Sequence, residues 1–482
     1  MKKAMILCLL CAVPASAQWT MIDLLHAAFE KSPEYREARR ELSEAEDRYG
    51  IVLGEQGFQV FYRGEAHRDF DEDRNINLNL DLPGFGTEAT RFDRTSNRIT
   101  LERAVALTGS TLEFGSGVTT TDFESLSSSR NTTRSLFTVL LRQPLLRANP
   151  HQLERRHAEQ TLLGARADFA ARRATIVSDV ADRFITCLTA MEERKIRRDA
   201  FDEARQMEEM TRAQAVAGDR TELELRQTEL FTKEANLAII ENEAVVRKAS
   251  QELLELAGIV LFEQTRLDES SLATLGGFGK AVEPMEMPAL PASFEDHPRI
   301  IRARRSLEER RLGVIEVGDR HGAKIDLIGR YQWEGDRNVD LFSDFLKSWE
   351  AGVTVTIPLF TSGVKSRTRR IARENLVSAE EELQIERNRV RRDAEDALTQ
   401  LKVAEERLSI ERTKVDQAVD QVRVDEALYQ VGEARLDDYL RSQNAVTEAR
   451  INVLRRQGAL VRRRIDYLTS IGADPYVFLV SQ

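Results

Sequence analysis

The sequence predicts a mainly α-helical protein that also contains β-strands, built from a duplicated helix, strand, strand, long helix, helix unit. Charged residues make up 31% of the 482 residues and aromatic residues only 6%, which favours long exposed helices over one compact core. Pro144 and Pro358 are separated by as many residues as Gly218 and Gly432. Equal spacing of this kind indicates a tandem repeat, and alternating polar and apolar segments indicate the strands.

Each repeat opens a charged helix with a short proline motif, SPE at Ser32 and HPR at His297. We assign the first repeat to residues 18–288 and the second to 289–482, with a Pro-rich linker around 284–291. The first repeat holds an excess of 51 residues between its opening helix and its next proline motif.

The first 17 residues have the pattern of a secretory signal peptide, with two lysines, an apolar stretch and a small-residue site, so we expect cleavage before Gln18. The alternative is a lipoprotein signal acylated at Cys11, which the bulky Leu10 disfavours. Loss of the two lysines takes the formal charge from −10 to −12. An acidic exported chain is not expected to bind nucleic acid.

Outside the signal peptide the chain has a single cysteine, Cys187, which falls on an apolar helical stripe and is interpreted as a core residue. The six histidines have no Cys or acidic partners at metal-ligand spacing. A Gly-rich phosphate loop and a nucleophile elbow are also missing from the sequence. The sequence therefore predicts no enzyme activity, no cofactor and no metal site.

Strands are predicted at about 56–67 and 134–143 in the first repeat and at 323–333 and 348–357 in the second. About ten alternating residues suffice for a tilted strand to cross a bilayer, although a soluble sandwich hairpin would alternate in the same way. No apolar run after the signal is long enough for a spanning helix, so a crossing would need a closed β-barrel. Four strands cannot close alone, whereas three chains would supply twelve.

The excess residues of the first repeat hold two further strand-like runs, at 98–107 and 111–120. They either form a hairpin that extends an external loop or add strands to the barrel. We favour the loop extension, because it leaves the two repeats matched in strand number.

A long helical hairpin is predicted in each repeat, at about 146–258 and 360–472, with a seven-residue apolar spacing typical of coiled coils. Pro144 and Pro358 mark the junctions from strand to helix, since proline cannot extend a β-ladder and favours a helix start.

Two glycines, Gly218 and Gly432, interrupt these hairpins where the chain should reverse. Glycine adopts the left-handed conformation that ends helices at little cost. The acidic residues that follow, Asp219 and Glu433, suit the N-terminus of the next helix. We expect both glycines at hairpin tips, on the order of 100 Å from the strands.

With this arrangement the chain resembles the TolC family of outer-membrane efflux proteins. The resemblance covers nearly all of the mature chain. It rests on the duplicated order, on SPEYREARRELSEAE and HPRIIRARRSLEERR, on QPLL and IPLF after a strand, and on AGDRTELEL and YQVGEARLDDYL. It implies a homotrimer with a twelve-stranded β-barrel in outer-membrane lipid and a twelve-helix tunnel in the periplasm, whose closed tips open when an adaptor docks.

The resemblance also implies residue roles at the periplasmic gate. Glu224 and Asp438 would ring the entrance with carboxylates that attract cations, and Tyr429 would help to hold it shut. The plain alternatives are solvated carboxylates on a helix surface and a last seam residue. A basic residue common in the family is replaced by Ala434, and Arg441 stands where an acidic residue is expected. The closing network is therefore expected to be rewired.

The resulting interpretation is a passive exit duct of a tripartite efflux or type I secretion system. A periplasmic adaptor, or membrane fusion protein, would connect it to an inner-membrane RND or ABC transporter. The alternative is a periplasmic coiled-coil adaptor or structural protein without a pore, which the four alternating strands disfavour. The cargo, whether drug, metal or protein, has no signature in the sequence.

Overall fold

A computed structural model describes the chain over residues 21–71, 90–124, 129–218, 220–258, 287–336, 345–431 and 433–480. The expected signal peptide and two of the expected tip residues, Asp219 and Gly432, lie outside these ranges. The chain divides into two compact units. We call them the helical unit (residues up to Glu41, Arg166–Arg302 and Gln384 onward) and the sheet unit (Leu42–Ala165 and Ala303–Leu383).

The sheet unit contains a six-stranded antiparallel sheet whose strands lie in chain order. Each strand pairs with the next along the chain, so that β4 of the first repeat pairs with β5 of the second. The edges of this sheet are therefore β1 and β6. The strands are β1 (Phe58–Asp71), β2 (Thr90–Val105), β3 (Ser110–Glu124), β4 (Ser129–Pro144), β5 (Lys324–Asp336) and β6 (Phe345–Thr356).

The structure corrects the expected strand number. Residues 98–107 and 111–120 do not extend a loop, because most of them belong to β2 and β3, which pair from Arg91 with Glu124 down to Val105 with Ser110. On their outer sides β2 pairs with β1 and β3 with β4. The expectation of four strands per chain was wrong, and the total of twelve for three chains rested on it. Matched repeats carry no energetic advantage, whereas a hairpin inside a sheet satisfies its backbone groups on both sides.

Equal lengths characterise the long helices of the two repeats. Both α3 and α6 have 68 residues, and both α4 and α7 have 35. The helices are α1 (Met21–Lys31), α2 (Pro33–Glu55), α3 (Pro150–Ala217), α4 (Glu222–Leu256), α5 (Pro298–Arg320), α6 (Val364–Val431), α7 (Leu436–Ser470) and α8 (Pro475–Val480). None of these helices is long and apolar enough to cross a lipid bilayer.

Neither junction proline begins a helix, because each lies at or just after the end of a strand. Pro144 is the last residue of β4, and α3 starts later, at Pro150, where the Asn149 side chain accepts a 3.1 Å hydrogen bond from the Gln152 N–H. Proline at the first helical position loses no intrahelical hydrogen bond. Pro358 likewise follows β6, and α6 starts after Gly363, whose φ is +77°.

The core of the helical unit is formed by apolar side chains of α1, α3, α4, α6 and α7. Val177, Val180 and Leu253 are fully buried there, as is Tyr467, whose hydroxyl donates to the Pro288 carbonyl at 2.8 Å. Cys187 is fully buried in the same cluster, and burial raises the pKa of its thiol to about 11. This placement matches the core role expected for it.

Candidate functional site at the hairpin tips

Gly218 ends the outgoing helix α3 of the first hairpin. Its φ is +86°, in the left-handed region that glycine adopts without strain, and its N–H bonds to the Ala215 carbonyl at 3.1 Å. A Cβ added at Gly218 would meet no atom within 4 Å. The backbone conformation, not crowding, is therefore what favours glycine at this turn.

A capping box starts the returning helix α4. The Thr221 hydroxyl accepts from the Glu224 N–H at 3.3 Å, while the Glu224 carboxylate accepts from the Thr221 N–H at 2.9 Å. The same carboxylate accepts the Thr221 hydroxyl proton at 2.9 Å. The carboxylate of the gate candidate Glu224 is thus bound to the N-cap residue of its own helix. This capping box fixes where α4 begins.

The second tip is built differently. The Glu433 N–H bonds to the Leu428 carbonyl at 2.9 Å, and the Ala434 N–H bonds to the same carbonyl at 3.2 Å, at the end of α6. Arg435 occupies the N-cap of α7 without a side-chain hydrogen bond, where the first tip has Thr221. Two acidic residues, Asp437 and Asp438, stand in the first turn of α7 and complement its dipole.

Aromatic and aliphatic side chains from both hairpins meet near these ends, and we call this group the tip cluster. Tyr429 of α6 and Tyr439 of α7 stack with ring centroids 5.9 Å apart and planes 4° apart. The Tyr439 hydroxyl accepts from Gln443 at 3.0 Å. The cluster comprises Met207, Phe231, Tyr429, Ala434, Leu436, Tyr439 and Leu440.

Arg220 joins the first tip to the second. Its guanidinium carbon lies 4.2 Å from the centroid of the Tyr429 ring, and its Nη1 donates to Glu224 Oε1 at 3.4 Å. The positive charge is therefore shared between an aromatic face on α6 and a carboxylate on α4. The sequence did not indicate Arg220, because the resemblance to the family places a basic residue only after the second glycine.

Burial and charge shift the titration of two tip residues. Burial raises the pKa of Tyr429, and the nearby Arg220 offsets this only in part. Partial burial alone would raise the pKa of Glu224, but the Thr221 hydrogen bonds and the Arg220 charge lower it below its ordinary value. Glu224 is thus an ionised, locally bound carboxylate at neutral pH.

The structure brings two of the three gate candidates together. Arg220 contacts both Glu224 and Tyr429. Asp438 is exposed, and within the described residues its carboxylate makes no hydrogen bond or ion pair. The hydroxyl oxygen of Tyr429 is buried and also has no hydrogen-bond partner among the described groups. It lies beside a groove of about 470 Å³ lined by tip-cluster side chains and by Gln430 and Gln443.

A family model of outer membrane efflux proteins matches two segments of the chain, residues 88–259 and 292–473. Together these segments cover well over half of the sequence. The chain belongs to the outer membrane efflux protein family. No curated protein matches the chain at a significant level.

Solved structures of channels from this family share the fold. CusC superposes with a TM-score of 0.65 at 16% identity, over 94% of this chain and 92% of that one. The Campylobacter jejuni outer membrane channel CmeC gives 0.65 at 14% identity, over 94% and 85%. VceC from Vibrio cholerae gives 0.64 at 14% identity, over 94% and 96%.

This outer membrane efflux protein therefore has an outer-membrane location and a role as an efflux duct. The resemblance to the TolC family predicted from the sequence is confirmed. Its relatives are channels rather than enzymes. Membership also implies, in general terms, cooperation with an adaptor and an inner-membrane pump.

Proposed function

We propose that three copies of this chain form a passive exit duct, in which their sheets close into one barrel in the outer membrane. The observation that carries the proposal is the sheet itself. In the part of the chain that the structure describes, no strand pairs with the outer side of β1 or of β6, and such open edges are not tolerated in lipid. Pairing β6 of one copy with β1 of the next removes every edge.

The helical hairpins would extend from the membrane into the periplasm and form the wall of a tunnel. An adaptor, or membrane fusion protein, would dock on the tips at Gly218, Asp219, Gly432 and Glu433. The gate would comprise Tyr429, Glu224 and Asp438, to which we add Arg220. In the resting state Arg220 would hold α6 to the first tip, and docking would release it.

The duct itself needs no cofactor and no energy source. Energy would come from an inner-membrane pump, either a proton-driven RND transporter or an ATP-driven ABC transporter, within an efflux or type I secretion system. A periplasmic adaptor or structural role without a pore, the alternative from the sequence, fits poorly with a six-stranded sheet that carries one exposed apolar face.

Native mass spectrometry and single-channel recording of the purified protein test this proposal together. We expect a trimer in detergent and discrete conductance steps in a planar bilayer. A matched preparation denatured before reconstitution controls for detergent artefacts. A monomer that leaves the bilayer electrically silent would contradict the proposal.

A further inference from the structure

An apolar row of side chains continues across the inserted hairpin β2–β3. Directly paired residues in an antiparallel sheet point to the same face, so a row of partners can be followed across all the strands. One such row is apolar on every strand, and it includes Leu101 of β2 and Phe114 of β3. Its members in order are Val60, Leu101, Phe114, Val139, Tyr331 and Trp349.

The neighbouring row on the opposite face is mostly polar, and again the insert follows its neighbours. It runs through Phe61, Thr100, Gly115, Thr138, Gln332 and Ser348. On the apolar side Val60 is 69% exposed, Phe114 41% and Trp349 76%, although all are large apolar side chains. An exposed apolar face of this extent needs an apolar partner.

The one ion pair described within the insert lies on the polar face, whereas Arg103 of β2 lies on the apolar face, with its guanidinium carbon 4.6 Å from the centroid of the Phe58 ring. Arg98 of β2 forms a 2.9 Å ion pair with Glu113 of β3. Its guanidinium lies against Gly115, where an added Cβ would be only 2.6 Å from Nη2. Gly115 therefore leaves room for the Arg98 guanidinium to lie against the sheet. At Gly117, the direct partner of Arg98, an added Cβ would instead be 2.8 Å from the Asn97 carbonyl oxygen.

The turn of the insert lies at the end of the sheet from which α3 departs. Asn149, the cap of α3, donates to the Ala106 carbonyl at 2.7 Å. Gln143, near the end of β4, donates to the Thr108 carbonyl at 2.9 Å. The hairpin therefore traverses the full height of the sheet and turns beside the start of α3. A hairpin that extended an external loop would turn at the opposite end.

We infer that β2 and β3 span the hydrocarbon of the outer membrane as full barrel strands, so that each chain contributes six strands. This inference rests on the proposed function. A trimer would then close an eighteen-stranded barrel. Barrel diameter grows roughly linearly with strand number, so the outer-membrane exit would be about 1.5-fold wider than that of a twelve-stranded barrel. The periplasmic gate, rather than the barrel, would limit the size of the cargo.

Fluorescence quenching in vesicles with nitroxide-labelled lipids tests this inference. Single cysteines would be introduced as Leu101→Cys and Thr100→Cys on β2, and as Val139→Cys on β4 in the apolar row, each labelled with bimane. The native thiol of Cys187 is buried and should not label in the folded protein. We expect equal quenching at positions 101 and 139, and at least threefold weaker quenching at position 100.

Each other outcome overturns a defined part of the account. Quenching at position 139 but not at 101 would place the insert outside the bilayer while leaving the proposed duct intact. Equal quenching at 100 and 101 would also overturn the inference, because β2 would then have lipid on both faces. If position 139 is not quenched, the proposed membrane barrel fails as well. Trimer formation by each labelled variant, measured by native mass spectrometry, verifies folding.

Discussion

The guanidinium carbon of Arg220 lies 4.2 Å from the centroid of the Tyr429 ring, and this contact connects the two hairpin tips of one chain. Arg220 sits in the turn before α4, whereas Tyr429 is in the last turn of α6. The same guanidinium reaches Glu224, so a single side chain joins three elements. An opening movement that separates the hairpins would have to break this contact.

Replacing Arg220 by Ala should favour the open gate. A cation–π contact contributes about 0.5–2 kcal/mol, which corresponds to an increase of about 2- to 30-fold in the ratio of open to closed channels. Single-channel open probability measures the change. Arg226→Ala is the matched control, since among the described residues Arg226 pairs only with Glu222, in an exposed ion pair. Equal open probabilities in the two variants would remove Arg220 from the gate.

The ring of Tyr429 should help to keep the gate closed, whereas its hydroxyl group should have no effect on the open probability. The hydroxyl oxygen is buried without a hydrogen-bond partner among the described groups, so Tyr429→Phe loses no bond and sheds a desolvation cost. Tyr429→Ala loses the stacking with Tyr439 and the contact with Arg220. We expect the Tyr429→Phe variant to have the open probability of the wild type and the Tyr429→Ala variant to have a higher one. A Phe variant as open as the Ala variant would show instead that the hydroxyl holds the gate.

Ion selectivity should depend on Asp438 more than on Glu224. Asp438 is exposed and makes no hydrogen bond or ion pair within the described residues, whereas Glu224 is occupied by Thr221 and Arg220. Asp438→Asn should therefore lower the cation-to-anion permeability ratio in a salt gradient more than Glu224→Gln does. The reversal potential of the two variants gives this comparison. The opposite order would mean that Glu224 faces the ion path.

Glu224 should make the tip sensitive to acid. Its pKa in the folded protein is lowered from 4.5, so the folded state favours the carboxylate, and the stabilisation is complete well above pH 4.5. It is lost as the pH falls from 4.5 through the folded-state pKa. Urea unfolding of wild type and Glu224→Ala should thus differ at pH 7 by about 0.5–2 kcal/mol and converge in acid. A difference that does not change with pH would contradict this linkage.

Gly218→Ala should destabilise the protein although space is available for the methyl group. A left-handed conformation costs a non-glycine residue about 1–2 kcal/mol. Gly313→Ala is the control, since Gly313 lies inside α5 and an added Cβ also meets no atom within 4 Å. That change should stabilise by about 0.5–1 kcal/mol. Urea unfolding measures the change in the free energy of unfolding for each variant. A stabilising effect of Gly218→Ala would argue against the left-handed backbone conformation of Gly218.

Periodicity made much of the fold predictable. The equal spacing of the proline and glycine markers foretold helices of equal length, and α3 and α6 have 68 residues each. The left-handed φ of Gly218 follows from the rule that glycine ends helices where the chain reverses. Alternation located the strands, because it reports which side of a strand is apolar.

Pairing partners and the gate contacts were harder to predict. The alternation of polar and apolar residues at 98–107 is the same whether that strand lies inside a sheet or projects from it. The order of the strands in the sheet therefore does not follow from the sequence. Glu224 was chosen by its distance from a glycine, yet its carboxylate caps α4, which a Thr at the cap position three residues earlier could have indicated. Arg220 acts through a contact with a residue distant in sequence, which no local pattern encodes.

Single-particle imaging of the protein in lipid nanodiscs tests the central claim most directly. We expect threefold symmetric particles in which β6 of one copy pairs with β1 of the next within the bilayer, around a water-filled centre. Isolated chains, or sheets that lie outside the disc with their edges unpaired, would contradict it.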